Sequence, residues 1–86
     1  MRPTIPPDWE QRGQTLVREF QVRDFDDGMR LMDRIATGAV DYGRRPDMSI
    51  SLNCVRLEIS NLHHHELTPA ELRLAAKVDA VLERGV

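Results

Sequence analysis

The feature that most constrains the fold of this chain is a pattern of hydrophobic periodicity that occurs twice. In each half, two short stretches of alternating apolar and polar residues precede a stretch with apolar residues three and four apart. Alternation is typical of a half-buried strand, and the longer spacing is typical of an amphipathic helix. Four antiparallel strands and two helices bury their apolar faces together in two layers. The sequence therefore predicts an α+β domain of order β-β-α-β-β-α, with both helices on one face of a four-stranded sheet.

The first half begins with a predicted hairpin. Gly13 separates a short strand near Trp9 from a second strand over residues 16–22. Leu16, Phe20 and Val22 share one parity, on which Arg18 is the exception. We therefore expect this strand to be half-buried, with one charged side chain on its inner face.

A helix is predicted to follow, from about Phe25 to Tyr42, with Asp24 placed to cap its first turn. Gly28 and Gly38 each cost roughly 1 kcal/mol against alanine inside a helix, so we expect both to mark close packing against another backbone. Its predicted apolar stripe comprises Phe25, Met29, Met32, Ile35, Ala36 and Ala39.

The second half repeats the order. Residues 48–52 and 55–59 alternate in polarity and meet at a tight connection near Asn53, which predicts a second hairpin. Residues 68–71, Thr-Pro-Ala-Glu, supply an N-cap, a proline at the first helical position and a glutamate at the third. The last helix is predicted to run to about Glu83. Its predicted buried side comprises Leu72, Ala75, Ala76, Val78, Val81 and Leu82.

Length, composition and charge limit the remaining possibilities. The 86 residues allow one domain, which we place at residues 9–86 behind a flexible, proline-rich arm over residues 1–8. Cys54 is the single cysteine, so an intrachain disulfide is impossible, and a homodimer is the expected source of extra stability. A net charge of -2 argues against nucleic acid as a partner, and the apolar runs are too short for a membrane span. We expect a cytoplasmic protein.

Several of these residues resemble the pterin-4a-carbinolamine dehydratase family over about residues 20–82. The family's strand-to-helix junction ends in Asp-Phe, and its helix continues with Phe-Met and Arg-Val-Ala. Its second hairpin turns on Asn-x-Val, and its last helix opens with Gly-Leu-Thr or Gly-Leu-Ser. The corresponding residues here are Asp24-Phe25, Leu31-Met32, Arg34-Ile35-Ala36, Asn53-Cys54-Val55 and Glu66-Leu67-Thr68.

The chain departs from this family at the catalytic histidines. Members carry His-His-Pro between the first helix and the third strand, where this chain has Arg44-Arg45-Pro46. A third family histidine follows the fourth strand, and a one-residue shift of that loop is needed to put His63 in its place. The acidic residue early in the last helix is kept as Glu71. Dehydration of a 4a-hydroxypterin needs groups that exchange protons near neutral pH, which imidazole does and guanidinium does not. The resemblance therefore implies a member that has lost the reaction.

The first function hypothesis is a non-catalytic, dimeric assembly factor without a cofactor. Arg44, Arg45 and Pro46 are its expected partner-binding residues, together with Arg56 and Glu58 on the exposed face of the sheet. Paired guanidinium groups suit an acidic protein surface. The loss of the histidine motif resembles the family's Rubisco assembly factors of alpha-carboxysome bacteria, which implies the Rubisco large subunit as client and association with carboxysomes. The competing interpretation of the two arginines is a solvated loop at a helix C-terminus.

The second hypothesis is a divergent 4a-hydroxytetrahydrobiopterin dehydratase that works with a shifted His63 and with Glu71. A third, a transcriptional dimerisation partner, follows from the family's second role in animals. The run His63-His64-His65 is interpreted as an exposed loop, because alternating side chains let two of the three converge at most. We therefore predict no metal site.

Overall fold

The computed structural model describes residues 5–41, 43–61 and 67–85. The strands are β1 (Glu10–Arg12), β2 (Thr15–Gln21), β3 (Asp47–Ser51) and β4 (Cys54–Ser60), and the helices are α1 (Phe25–Gly38) and α2 (Pro69–Gly85). The predicted α+β class and element order are confirmed. Across these three described ranges, neither helix is long and apolar enough to span a bilayer.

The four strands form one antiparallel sheet of order β1-β2-β4-β3. The central pair sets Leu16 opposite Ile59 and Phe20 opposite Val55, so these four side chains share the face that packs against the helices. Arg18 and Leu57, which also pair, lie on this inner face, whereas the alternate residues lie on the other face, which carries polar and charged side chains at most positions. The sheet therefore has one covered side and one open side, as alternation in an antiparallel sheet predicts.

The core lies between the inner face of the sheet and the two helices. Trp9 closes one side of this core and is 5% exposed. The buried hydrophobic residues around it are Leu16, Leu31, Ile35, Ala39, Val55, Leu57, Ile59, Leu74, Ala75, Val78 and Leu82. Of the predicted arm over residues 1–8, the last four are described, and Ile5 among them packs against the core.

The predicted stripe of α1 is partly wrong. Phe25 and Met29 are 50% and 47% exposed, whereas Leu31, which the prediction left out, is buried with Ile35. Gly28 explains the rotation, because this residue itself faces the sheet, and a Cβ there would overlap the Ile50 side chain. The close approach expected at Gly28 is confirmed, although its neighbours are side chains and not backbone.

The end of α1 and the buried face of α2 also differ from the prediction. Helix α1 ends at Gly38 and not near Tyr42, because Ala39 leaves helical geometry with φ -107° and ψ 70°. At this end of α1, Gly38 lies against α2, where a Cβ would lie 2.9 Å from Val81 Cγ2. On α2 itself, Leu74 is buried and Ala76 is exposed, so the predicted face is shifted there too.

Candidate functional site

One polar cluster joins Arg44 to the buried carboxylate of Glu71. Arg44 Nη1 donates to Glu71 Oε2 at 2.8 Å, and Arg44 Nη2 donates to the backbone carbonyl of Ser60 at 2.8 Å. The guanidinium thereby connects the loop after α1, the end of β4 and the start of α2. Its side chain is 39% exposed, whereas that of Glu71 is 0% exposed.

Glu71 is placed by the capping box that the sequence predicts at residues 68–71. Thr68 donates to Glu71 Oε1 from its backbone N at 2.6 Å and from its hydroxyl at 2.8 Å. Asn61 Nδ2 donates to the same oxygen at 3.2 Å. The third helical position thus reaches back to the N-cap, which fixes the carboxylate at the buried end of α2.

The Glu71 carboxylate is held ionised. Burial by itself raises the pKa of a carboxyl, but the donors from Arg44, Thr68 and Asn61 stabilise the charged form and lower the pKa of Glu71 to about 2. Both oxygens already accept hydrogen bonds from within the chain. A general base needs an accessible lone pair and a pKa near the working pH. In this arrangement Glu71 is therefore a weak base.

Arg45 contacts the backbone of α1 and not a carboxylate. Arg45 is exposed, and its Nε donates to the carbonyl of Ala36 at 2.6 Å near the C-terminus of α1. This contact places a cation where the helix dipole is negative. Pro46 is buried next to it and leads into β3. The two adjacent arginines thus diverge, one towards a buried carboxylate and one along the surface.

A second buried carboxylate lies beside this pair. Asp41 is 7% exposed, and its Oδ1 accepts from Lys77 Nζ at 3.1 Å while its Oδ2 lies 3.4 Å from Arg73 Nε. Lys77 also donates to the carbonyl of Val40 at 2.8 Å. This cluster cannot be recognised from the sequence, because Arg73 and Lys77 are 32 and 36 residues from Asp41 along the chain. The sequence feature that points to this cluster is the pair of cations at positions 73 and 77, one turn apart on α2.

These contacts define a surface that we call the arginine end: Arg44, Arg45, Arg73 and Lys77 around Asp41 and Glu71. Among the residues of this surface that the structure describes, four cations stand against two carboxylates, which is a surplus of positive charge. The side chains of Arg44, Arg73 and Lys77 are 39–52% exposed, and Arg45 is exposed as well. Guanidinium and ammonium groups in this arrangement bind anions or acidic side chains.

The other two predicted partner-binding residues lie on the open face of the sheet. Arg56 Nε donates to Glu58 Oε1 at 2.7 Å, and Arg56 Nη1 donates to Glu19 Oε1 at 3.2 Å across the strand pair. All three side chains are 38–46% exposed. The structure therefore does not bring Arg56 and Glu58 into the arginine end.

His63 and its two neighbours lie outside the described residues, so their predicted roles stay predictions. Within residues 5–41, 43–61 and 67–85, no three histidine, cysteine or acidic side chains converge as metal ligands would. Cys54 begins β4 and is partly exposed.

Known proteins share this arrangement of strands and helices. The family model described as pterin 4 alpha carbinolamine dehydratase matches residues 2–81. A protein of Thermomicrobium roseum, provisionally named pterin-4-alpha-carbinolamine dehydratase, is 31% identical over 72 residues, which span 84% of this chain and 77% of the relative. A protein of Nocardia farcinica with the same provisional name is 32% identical over 73 residues, spanning 85% and 77%.

The fold comparison agrees. A crystal structure from Brucella melitensis, described as a transcriptional coactivator/pterin dehydratase, superposes with a TM-score of 0.73 at 19% identity. The match covers 87% of this chain and 82% of that one. At that identity the likeness shows a common fold. Together with the match over residues 2–81, these findings show that the chain belongs to the pterin-4a-carbinolamine dehydratase family.

Proposed function

We propose that this chain is a non-catalytic member of its family that acts as a dimeric assembly factor and holds a client protein at the arginine end. The observation that carries the proposal is the Arg44–Glu71 pair. Arg44 stands where family members carry the first histidine, and its guanidinium is bound to Glu71 at 2.8 Å. Neither partner can exchange a proton near neutral pH, since one is a permanent cation and the other is held ionised.

The surplus charge of the arginine end supports a protein client with an acidic surface. Arg45 and Lys77 present cations at the rim, where they steer an acidic partner and fix its orientation. In this proposal the client is the Rubisco large subunit of alpha-carboxysome bacteria, met in the cytoplasm or at the carboxysome. Arg56 and Glu58 on the open face provide a second contact for the same client. No cofactor takes part.

The proposed homodimer forms along β3. The strand order leaves β1 and β3 at the edges, and β1 has three residues, of which Glu10 and Arg12 are charged. Strand β3 has five residues, and Asp47 at its start is its one charged side chain. Short, charged edges resist pairing, whereas a longer and nearly neutral edge accepts another strand. Sedimentation of the purified protein at 20 kDa would agree with the dimer, and sedimentation at 9.9 kDa would contradict it.

The client proposal is tested by retrieval of purified Rubisco large subunit at low salt. We expect Arg45→Glu to weaken binding by about tenfold, because it places like charge against an acidic surface. Arg84→Glu is the matched control, because it makes the same charge change at another exposed arginine. Arg84 lies in α2, and its Nε likewise donates to a helix carbonyl, that of Ala80 at 3.3 Å. Equal binding by both variants would remove the arginine end from the interaction.

The second candidate is a divergent 4a-hydroxytetrahydrobiopterin dehydratase, which the provisional names of the relatives favour. It requires His63 as proton donor or acceptor and Glu71 beside it. Purified protein is incubated with chemically generated 4a-hydroxypterin, and dehydration is followed by absorbance. An acceleration that disappears in His63→Ala would replace the assembly proposal by this one, whereas a rate equal to the uncatalysed rate would leave the assembly proposal standing.

A further inference from the structure

Helix α1 has a second apolar face, which the core covers only in part. Gly28, Leu31 and Ile35 are its buried residues and share one side of the helix. The remaining apolar side chains of α1 follow one another at spacings of four, three and four, so they form a stripe on an adjacent side. We call this the outer stripe, and it comprises Phe25, Met29, Met32 and Ala36. Phe25 and Met29 are about half exposed, and Met32 and Ala36 are half-buried.

The outer stripe faces away from α2 and overhangs the edge of the sheet. Gly38 lies against Val81 of α2, and helical spacing places Gly38 about 150° around α1 from the middle of the outer stripe. Gly28 lies against Ile50 of β3 and Val55 of β4, so α1 covers that half of the sheet. The side of α1 opposite α2 is therefore the side above β3, the edge at which the proposed homodimer forms.

Exposed apolar surface is concentrated at this edge. Within the described ranges, the large hydrophobic residues that are exposed are Phe25 and Met29 on the outer stripe and Leu52 in the turn after β3. Met48 and Ile50 lie on the inner face of β3, below α1, and are half-buried. The edge strand and the outer stripe thus form one continuous surface, and a surface of this kind marks an interface.

The spacing of strands and helices fits a second copy on this surface. Neighbouring strands in a sheet are about 4.8 Å apart, and α1 lies above the boundary between β3 and β4. Pairing of β3 with β3 of a second copy therefore places the two α1 helices two strand spacings apart, or about 9.6 Å. Packed helices have interaxial distances of about 8–10 Å. The β3 dimer thus brings the two outer stripes into direct contact.

The order of residues along the outer stripe is self-complementary. A twofold axis perpendicular to the sheet makes the two α1 helices antiparallel. An axis at the middle of the stripe then sets Phe25 opposite the partner's Ala36 and Met29 opposite the partner's Met32. The largest side chain of the stripe faces the smallest, and the flexible thioethers fill the centre.

The charges at the ends of the outer stripe favour the same arrangement. Arg45 lies at the C-terminal end, where its Nε donates to the carbonyl of Ala36. Asp26 lies at the N-terminal end beside Phe25, and Asp33 borders the stripe on its solvent side. The antiparallel pair brings Arg45 towards the partner's Asp26. A basic helix of another protein would match the two aspartates but would meet Arg45 as a like charge, whereas a second copy supplies both signs.

We propose that the outer stripe is the helical half of the homodimer interface, in which α1 of one copy packs antiparallel against α1 of a second copy beside the paired β3 strands. The inference rests on the β3 dimer of the proposed function and adds the side chains that determine its affinity. Arg45 is kept out of the test, because the client proposal uses this residue as well.

An exchange of side-chain size tests the facing pair. Sedimentation equilibrium measures the dimer dissociation constant of each variant. Phe25→Ala is expected to weaken the dimer at least about tenfold, because each copy buries up to about 100 Å² less apolar surface. Ala36→Phe is expected to weaken it by a similar factor, because two large side chains then oppose each other. The double variant should return to within about threefold of wild type, since a large side chain again faces a small one.

A charge placed in the centre of the outer stripe tests the contact independently of size. Met29→Glu is expected to sediment as a monomer of 9.9 kDa, because two carboxylates would be buried together near the twofold axis. Ala76→Glu is the matched control, since Ala76 is exposed on α2, away from the outer stripe, and should leave the dimer unchanged. Circular dichroism establishes that each variant is folded before its dissociation constant is compared.

Each contrary result has a distinct meaning. A double variant that dimerises no more tightly than the single variants would overturn the antiparallel arrangement. A dimer unaffected by Phe25→Ala and by Met29→Glu would overturn the inference and leave the β3 dimer of the proposed function intact. A wild type that is monomeric at every concentration would overturn both, and its binding of a basic leucine-stripe peptide through Met29 would assign the outer stripe to another protein. Client retrieval with Arg45→Glu is decided separately from all of these.

Discussion

Replacement of Glu71 by glutamine gives the most direct test of the ion pair at the arginine end. The side chain is fully buried, and its carboxylate accepts from Arg44, from Thr68 twice and from Asn61. Glutamine keeps the shape and one acceptor, but it loses the charge and presents an NH₂ group towards the Arg44 guanidinium. We therefore expect Glu71→Gln to fold with reduced stability at neutral pH.

The size of the effect follows from proton linkage. The pKa of Glu71 falls from 4.5 to about 2 on folding, and such a shift corresponds to about 3 kcal/mol at most in the free energy of unfolding. Because the pKa is depressed in the folded state, this contribution is fully present above pH 4.5 and is lost as the pH falls towards 2. Solvent around the half-exposed Arg44 weakens the pair, so the measured value should lie below this limit.

Urea unfolding at a series of pH values between 2 and 7 measures this contribution. Wild type should exceed Glu71→Gln in stability at pH 7, and the two curves should converge towards pH 2. Glu10 and Asp27 also have lowered pKa values, from hydrogen bonds with Arg12 and Arg30, but both carboxyls are present in both proteins. Their contributions therefore cancel in the difference between the two curves.

Glu58→Gln is the matched control for this comparison. Glu58 also pairs with an arginine, Arg56, at 2.7 Å, but its side chain is 38% exposed. Exposed ion pairs contribute at most about 1 kcal/mol, so this variant should track wild type across the pH range. A constant gap between wild type and Glu71→Gln at every pH would refute the reasoning, because it would show that the loss is one of packing and not of charge.

Three other substitutions test separate features by thermal and urea unfolding. Gly28→Ala should destabilise by up to about 2 kcal/mol, because overlap with Ile50 and the 3.2 Å approach to Val22 Cγ2 cost about 1–3 kcal/mol and the better helix propensity of alanine offsets about 1 kcal/mol; a gain in stability of about 1 kcal/mol would contradict the close packing. Asp79→Asn should destabilise by about 1–3 kcal/mol and leave Arg18 without its ion-pair partner on α2, and a change below about 0.5 kcal/mol would contradict that role. Leu52→Asn should stabilise by about 0.5–1 kcal/mol, because residue 52 has φ 56° and is 83% exposed; a loss of stability would contradict this assignment of strain.

The sequence predicted the fold class because hydrophobic period and capping agree with each other along the whole chain. The alternation in β4 appears as a strict buried and half-buried pattern over Cys54–Ser60. The capping segment at residues 68–71 begins α2 at Pro69 as expected. Both signals depend on neighbouring residues, so they can be recognised without knowledge of the tertiary structure.

The errors occur where tertiary contacts choose between two acceptable faces. Phe25 and Leu31 both fit an apolar stripe on α1, and periodicity does not say which one faces the core. Gly28 decides the choice, because the absence of a side chain lets the helix approach the sheet at that residue. The ion pair between Arg44 and Glu71 was missed for a related reason, since its partners are 27 residues apart and meet only when α1 and α2 pack together.

The buried carboxylate links residue 44 to the fold as well as to the site. Glu71 caps the start of α2 through its bonds to Thr68, so this residue stabilises the helix whatever stands opposite it. A guanidinium at residue 44 supplies the counter-charge and also binds Ser60 of β4, which joins three elements through one side chain. A histidine at residue 44 would therefore remove this link, while Thr68 and Asn61 would still donate to the carboxylate.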